Sequence, residues 1–389
     1  MIILDEPYVS RYLLETIITS HMPVLKNETS VKQDFPDGGV LLNDAACIAL
    51  FRDNPRQKLY SNSEHALQWI ADNLMFTGLP KMIALFKDKA AFRRLLKPLF
   101  PDFFFCEVVA EDLESLDICD IPKPFIIKPS VGFFSAGVHL VASDADWEEV
   151  LQSLKTEMKE HSSLFPPQVY NSATWIIEEY IPGTEIAVDA FFTAAGEPVV
   201  LNILSHIFSS DADVDDKVYL TSKAIIRKYL SPVKALLCQI QTLTSVRNFP
   251  LHIELRVTED GHVMPIEVNP MRFAGWCTTD IAAYAYGINV YRAYFEESAP
   301  DWESILADDT GDVYALLVVK PPADVPSETI IDFNYAGFEA GFTDPLEMRP
   351  VNFTYYPVFG FLFVKLAGGD LREVIAFLKS DLREYISFK

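Results

Sequence analysis

Apolar and polar positions alternate on both sides of Asp260-Gly261 within the stretch Leu251–Arg272. Period-two alternation around a dipeptide suited to tight reversals predicts a β-hairpin. With Asp260 and Gly261 as the turn, Val257 faces Met264, Leu255 faces Ile266 and Ile253 faces Val268, making one apolar face. The other face then sets Glu254 opposite Glu267 and His252 opposite Asn269. Opposed carboxylates about 5 Å apart repel by roughly 3 kcal/mol at an effective dielectric of about 20. A chain tolerates this if the face is fully wet, if one acid is protonated, or if a cation lies between them. A solvated sheet face is one reading. Asn269 and Arg272, just beyond Glu267, favour another. Carboxylates with a carboxamide oxygen are hard ligands suited to Mg2+, and an arginine suits the phosphates that Mg2+ accompanies.

Patterning elsewhere predicts mixed α/β and α+β structure. Over residues 1–85, Met1–Leu4 and Lys58–Ser61 read as strands and Asp37-Gly38-Gly39 as a turn. Val9–Ser20 reads as a helix with Tyr12, Leu13, Thr16 and Ile17 on one side. Glu64–Asn73 reads as another, with Ser63 placed to cap it. No G-x-G-x-x-G follows the first strand, so this α/β unit lacks the dinucleotide fingerprint. Asp88–Leu96 is a helix opened by an acid and closed by Pro98 and Pro101. Asp144–His161 is an amphipathic helix with Trp147, Val150, Leu151 and Leu154 inward, and Pro166-Pro167 marks a break after it. Thr174–Phe192 reads as strand, Pro182-Gly183 turn, strand, the dipeptide suiting a type II turn. Asp211–Asp216 is an acidic loop, and Val233–Val246 is a helix leading into the hairpin. Residues 301–389 form a small α+β element with strands Tyr314–Val319 and Val358–Val364 and a helix Leu371–Ile386.

Composition narrows the function classes. The 389 residues can bury a large core. A formal charge of -23 argues against nucleic-acid binding and against adhesion to anionic membranes. A polyanionic ligand must then be held by a few local cations and by metal. The N-terminus lacks the pattern of a signal peptide, and no apolar run spans a bilayer. Five cysteines, Cys47, Cys106, Cys119, Cys238 and Cys277, show no C-x-x-C spacing, which fits reduced thiols in a cytoplasm.

Two further stretches carry candidate chemistry. In Pro124–Val141 a buried strand delivers Lys128, followed by a loop with Ser130, Gly132, Ser135 and Gly137. Small residues let backbone N–H groups approach phosphate oxygens, and a lysine supplies a point charge. A plain hairpin with a flexible loop would read the same way. Around Pro182-Gly183, the backbone of Glu179-Tyr180-Ile181 can present donors and acceptors to a purine edge, and Glu185 can accept from ribose hydroxyls. Lys89 taken alone reads as a surface lysine.

In this order, Lys128 with its Gly/Ser loop, Glu178-Glu179-Tyr180-Ile181-x-Gly-x-Glu185, His-x-Glu254 and Glu267-x-Asn269-x-x-Arg272 resemble the ATP-grasp superfamily, nearest to its carboxylate–amine ligases. The resemblance covers residues 86–300, with a lid subdomain over about 120–170 and a nucleotide and metal subdomain over about 171–300. It implies an N-terminal α/β domain at 1–85 and a small C-terminal α+β element at 301–389. It implies that Lys89, Lys128, Ser130, Ser135 and Gly137 contact the phosphates, that Glu178, Glu179 and Ile181 meet adenine, and that Glu185 holds ribose. Glu254, Glu267 and Asn269 match the ligands of Mg2+, with Mn2+ able to replace it. Arg272 matches the arginine near the γ-phosphate and the reacting carboxylate.

The activity implied is ligation. A substrate carboxylate attacks the γ-phosphate of ATP, giving an acylphosphate and ADP, and an amine then attacks the activated carbonyl. Arg272 and Lys128 would be the catalytic residues. Small-molecule acids and amines are the partners implied, and a homodimer is compatible because related ligases are often dimers. A carboxylate–thiol ligase or a non-catalytic ATP-binding regulator on the same fold stays open. Two departures stand out: Phe133-Phe134 occupies the lid where many relatives carry smaller residues, and Asn-Pro-Met-Arg sets Arg272 one residue later than Asn-Pro-Arg does.

Overall fold

Four short parallel strands open the chain: β1 (Ile2–Ile3), β2 (Val24–Leu25), β3 (Leu41–Leu42) and β4 (Tyr60–Ser61), in the order β3-β2-β1-β4. The computed structural model describes residues 1–389 apart from 36–39, 133–136, 162–170, 208–216 and 323. The expected turn at Asp37-Gly38-Gly39, the Phe133-Phe134 pair, Ser135, Pro166-Pro167 and the loop Asp211–Asp216 lie outside the described residues.

Helix Arg11–Thr19 starts where Ser10 Oγ accepts from the backbone N–H groups of Tyr12 and Leu13 at 3.0 and 3.5 Å, and it buries Leu13, Thr16 and Ile17. The next expected helix begins at Ala66, later than Glu64. Ser63 spends its hydroxyl on the His65 N–H at 3.3 Å, outside the helix, and Glu64 turns inward to an ion pair. Helices Leu79–Lys87 and Lys89–Leu96 follow, broken at Asp88, whose Oδ1 caps the second by accepting from Ala90 N and Ala91 N at 3.0 and 3.1 Å.

An antiparallel sheet comes next, from β5 (Phe105–Val109), β6 (Phe125–Val131), β7 (His139–Val141) and β8 (Asn171–Glu179), in the order β5-β8-β6-β7. Helix Trp147–His161 covers it with the four expected residues, Trp147, Val150, Leu151 and Leu154, packed on Phe125, Ile127 and Trp175. Pro182-Gly183 then carries the chain into a different sheet. The strands on either side of it do not pair with each other, so this link is a crossover. Gly183 adopts φ +122°, and a Cβ there would collide with the carbonyl of Val257.

The largest sheet is antiparallel throughout: β9 (Thr184–Phe192), β10 (Pro198–His206), β11 (Val218–Ser222), β12 (Phe249–Val257), β13 (Val263–Pro270), β14 (Val313–Val319), β16 (Pro345–Pro350) and β17 (Gly360–Leu366). Its order is β13-β12-β9-β10-β11-β14-β17-β16, so the C-terminal strands extend the sheet that carries the hairpin. Strand β15 (Ile330–Phe333) pairs with β18 (Ile386–Phe388). The expected terminal helix stops at Lys379. Leu382 then takes a left-handed conformation at φ +60°, which turns the chain back so that Ile386 pairs with Phe333.

Alternation explains the layering. Ile186, Val188, Ala190 and Phe192 of β9 pack against Ile226, Val233, Leu237 and Ile240 of helix Lys223–Thr244. That helix starts at Lys223, earlier than expected, and runs through Pro232. Proline removes one helical hydrogen bond, and Lys228, whose carbonyl loses its donor, is exposed to water. Among the described residues no helix is long and apolar enough to cross a membrane.

Candidate active site

Strand register builds the site. Across β9, β12 and β13, one row reads Asp189, His252, Asn269 and the next reads Ala187, Glu254, Glu267. The alternate rows, Val188–Ile253–Val268 and Ala190–Leu251–Pro270, face the core. Glu254 and Glu267 therefore pair as the sequence implied. Nearer the turn the register slips: Leu255 pairs with Pro265 and Val257 with Val263, so the expected Leu255–Ile266 and Val257–Met264 pairs do not form. The reversal holds three residues, closed by Thr258 N donating to His262 O at 3.0 Å, with Gly261 in the left-handed position at φ +85°. A bulge between Glu254 and Leu255 absorbs the odd residue before the functional pairs are reached.

The opposed carboxylates are compensated by a cation from another element. Lys89, which taken alone reads as a surface lysine and which the resemblance sets on the phosphates, is buried, and its Nζ lies 2.7 Å from Glu267 Oε2. Burial pushes the Glu267 carboxyl up, but Lys89 and then Lys87 outweigh it and hold it at about 2. Asn269 Nδ2 donates to Glu254 Oε1 and to Glu267 Oε1, both at 3.4 Å. Among the described residues no three His, Cys, Asp or Glu side chains converge as a metal cluster. The donor set here is two carboxylates and one carboxamide, which fits Mg2+ or Mn2+ by oxygen chemistry. His252 supports it from behind. Its Nδ1 lies 2.8 Å from Asp189 Oδ1, which also accepts from Ala274 N at 2.7 Å, and its Nε2 is 4.0 Å from Glu254 Oε1.

A second ionic group joins β6, β8 and helix Lys89–Leu96. Glu178, 3 % exposed, receives Lys128 Nζ on Oε1 at 2.5 Å and Arg93 Nε on Oε2 at 2.7 Å. Burial opposes ionisation of Glu178, yet Arg93 and Lys128 together hold its carboxyl at about 2. Burial lowers the Lys128 ammonium despite Glu178. Backbone N–H groups of Glu179 and Tyr180 donate to Phe104 O and Pro124 O at 3.1 and 3.0 Å, so this edge is tied to the smaller sheet. Glu185 Oε2 accepts from Arg256 Nη2 at 2.9 Å, and Arg256 Nη1 also reaches Tyr180 OH at 2.9 Å and Ile181 O at 3.3 Å. Ser130 Oγ donates to the capping Asp88 Oδ1, which ties the strand of Lys128 to the helix of Lys89. Gly137 takes φ +76°, with Trp175 and Pro129 crowding the space a Cβ would need.

Arg272, beyond the end of β13, is held by Glu64, which lies between β4 and helix Ala66–Asn73. Its Nε and Nη2 both donate to Glu64 Oε1, at 3.1 and 2.7 Å, and Lys87 Nζ binds Glu64 Oε2.

Residues 121–280 match the family model described as the ATP-grasp domain. These residues are an ATP-grasp domain. None of the curated proteins matches the chain in sequence. Among solved structures it is similar to the L-amino acid ligase from Bacillus licheniformis, at 17% identity and a TM-score of 0.65, over 100% of this chain and 98% of that one. It is also similar to a biotin carboxylase–β,γ-ATP complex from Campylobacter jejuni, at 14% identity and a TM-score of 0.64, covering 100% and 91%. A third similar structure is the N5-carboxyaminoimidazole ribonucleotide synthetase from Thermotoga maritima, at 13% identity and a TM-score of 0.62, covering 99% and 98%. At these identities the likeness establishes the ATP-grasp fold for the chain.

Against that fold, four side chains near the ATP-grasp motifs escape a sequence reading. Glu64 and Lys87 sit in segments with no recognisable motif, and only tertiary packing brings them to Arg272. Arg93 lies one helical turn after Lys89, on the same buried face, a spacing that could have marked it. Asp189 reads as a lone acid in an apolar strand. That signal, a buried charge needing a partner, was available. Arg256 is half-buried on Glu185. Thr221 is buried on Asn202 Oδ1 at 2.8 Å, and Ser222 caps helix Lys223–Thr244. Cys277 is buried with its thiol pushed up to about 12 by burial, a packing residue.

Proposed function

We propose that this chain is an ATP-dependent ligase that activates a small-molecule carboxylate as an acylphosphate and joins it to an amine, releasing ADP and phosphate. The observation carrying this reading is the row Glu254–Glu267 with Asn269 beside it and Lys89 against Glu267 at 2.7 Å, inside an ATP-grasp domain. The similarity to an L-amino acid ligase supports it. Magnesium held by Glu254, Glu267 and Asn269 supplies charge neutralisation for a triphosphate.

The chain's own groups supply position and charge. Lys89, Lys128, Ser130 and Gly137 flank the phosphates. Glu178, Glu179 and Ile181 line the adenine edge, and Glu185 takes the ribose hydroxyls. Arg272 faces the negative charge shared by the γ-phosphoryl group and the reacting carboxylate. Both transfers need alignment and charge stabilisation, and neither needs a protein nucleophile.

A phosphate-release screen tests the reading, with Mg-ATP against pools of amino acids and other small acids paired with amines. Release that requires both an acid and an amine is the expected result. Release indifferent to the amine, or none with any pair, overturns it.

A further inference from the structure

Glu64 is the one acid of the N-terminal unit that reaches both Arg272 and Lys87 among the described residues. It leaves the chain just after β4, ahead of helix Ala66–Asn73. Its carboxylate is 9 % exposed, and each of its oxygens has a separate cationic partner from a separate element. Oε1 takes the Nε and Nη2 edge of Arg272, from the segment after β13, and Oε2 takes Lys87 at the end of helix Leu79–Lys87. Arg272 Nη1 is fixed on Phe273 O at 2.9 Å, so three guanidinium nitrogens have assigned partners. The arginine is oriented by its neighbours before any ligand arrives.

Buried cations are costly unless paired, and an unpaired guanidinium relaxes toward whatever acceptor it finds. Arg272 and Lys87 belong to different elements, and among the described residues the Glu64 carboxylate bridges them. Their charges also reach the acid row: Lys87 acts on Glu267, and Arg272 is felt by Glu254 and Glu267.

We propose that Glu64 is a positioning residue of the ligase: it clamps Arg272 and Lys87 into a preset cation pair, so the ATP-grasp half is competent only with the N-terminal unit docked on it. The role assigned to Arg272 rests on the proposed function. The clamp itself is a two-cation carboxylate receptor, which makes it testable without turnover.

The experiment compares Glu64→Ala and Glu64→Gln in the full chain with the parent, with sodium acetate as the probe. Removing the side chain to Cβ opens a carboxylate-sized space between Arg272 and Lys87. Acetate is expected to raise the melting temperature of Glu64→Ala and leave the parent unmoved. With an acid–amine pair found by the screen, Glu64→Ala loses about a hundredfold in kcat while KM for Mg-ATP stays within about twofold, and acetate restores about tenfold. Glu64→Gln, which fills the space without charge, keeps the fold and loses about tenfold in kcat without acetate rescue. If no acid–amine pair supports turnover, the ligase reading falls, and the acetate-dependent melting shift still decides the clamp. Absence of that shift, or parental kcat in Glu64→Gln should Glu64→Ala not fold, overturns the proposal.

Discussion

Lys89 Nζ stands 2.7 Å from Glu267 Oε2, so a lysine of one helix occupies the carboxylate that faces Glu254 across the hairpin. The repulsion expected between two opposed acids is met from within the chain. In the proposed site the same lysine would compete with a metal for Glu267, and a phosphate that draws Lys89 away would release the acid.

Lys89→Ala therefore separates two affinities. Without nucleotide, the variant should bind Mn2+ about tenfold more tightly than the parent, since one charge in partly desolvated surroundings is worth more than about 1 kcal/mol. Mg-ATP should bind about tenfold more weakly, because the phosphate contact proposed for Lys89 is lost. Calorimetric titrations with Mn2+ alone and with Mg-ATP check both. Weakening of both affinities would mean that Lys89 supports the metal site and does not compete with it.

Acid stability follows from the buried carboxylates. Glu64, Glu178 and Glu267 are each held at about 2, against 4.5 ordinarily. Between those values the unfolded chain binds more protons than the folded one, so stability rises with pH through the window and is complete above it. As pH falls from 4.5 to about 2 the contribution is lost. Within that window each acid changes the stability by up to about 1.4 kcal/mol for every step of one in pH. Urea unfolding across this range should show a steep decline for the parent. Glu178→Gln, which leaves Arg93 and Lys128 without their counter-charge, should be less stable by about 3 kcal/mol at neutral pH and flatter in acid. An unchanged acid slope in that variant would place the linkage elsewhere.

Much of this site is legible in the residues because hairpin periodicity is a local property. Glu254 falls opposite Glu267 whether the turn holds two residues or three, since the bulge restores the register before that row. The family pattern likewise pointed to Lys128 and Glu178, which the fold brings into contact. What stays hidden is contact made over long sequence distances. Lys89, which the family pattern sets on the phosphates, gives no sign of its contact with Glu267 until helix Lys89–Leu96 is packed on β13, and Glu64 looks like a helix-opening acid until Arg272 is brought to it. Pro182-Gly183 reads as a turn in either case. Only the pairing of β8 and β9 with different sheets reveals a crossover.

That crossover depends on one missing Cβ. Gly183 combines φ +122° with a close approach to the Val257 carbonyl, so Gly183→Ala faces both backbone strain and collision. Strain of this kind costs about 1–3 kcal/mol before any steric term. Chemical denaturation should show a loss of about 3 kcal/mol or more, whereas Gly261→Ala, with open space around its Cβ, should lose only about 1–2 kcal/mol from φ. Equal losses would assign the cost to backbone conformation alone and leave the packing of the link against β12 without consequence.

Metal affinity should depend on a residue that need not touch the metal. His252 is anchored through Nδ1 to Asp189, and its Nε2 side faces Glu254 Oε1 at 4.0 Å. Asp189 is fully buried and also accepts from Ala274 N, so the anchor belongs to the backbone that leads away from Arg272. Partners behind a metal-binding carboxylate fix its orientation, and losing one typically weakens affinity by about 10- to 100-fold. His252→Ala should raise the Mg2+ concentration needed for half-maximal ATP-dependent phosphate release by that factor and keep most of the rate at saturating Mg2+. A Mg2+ titration of the variant reads both quantities. Loss of the saturated rate with an unchanged Mg2+ requirement would instead place His252 in contact with the reacting groups, because a carboxylate merely left unoriented is recovered by mass action and a missing catalytic contact is not.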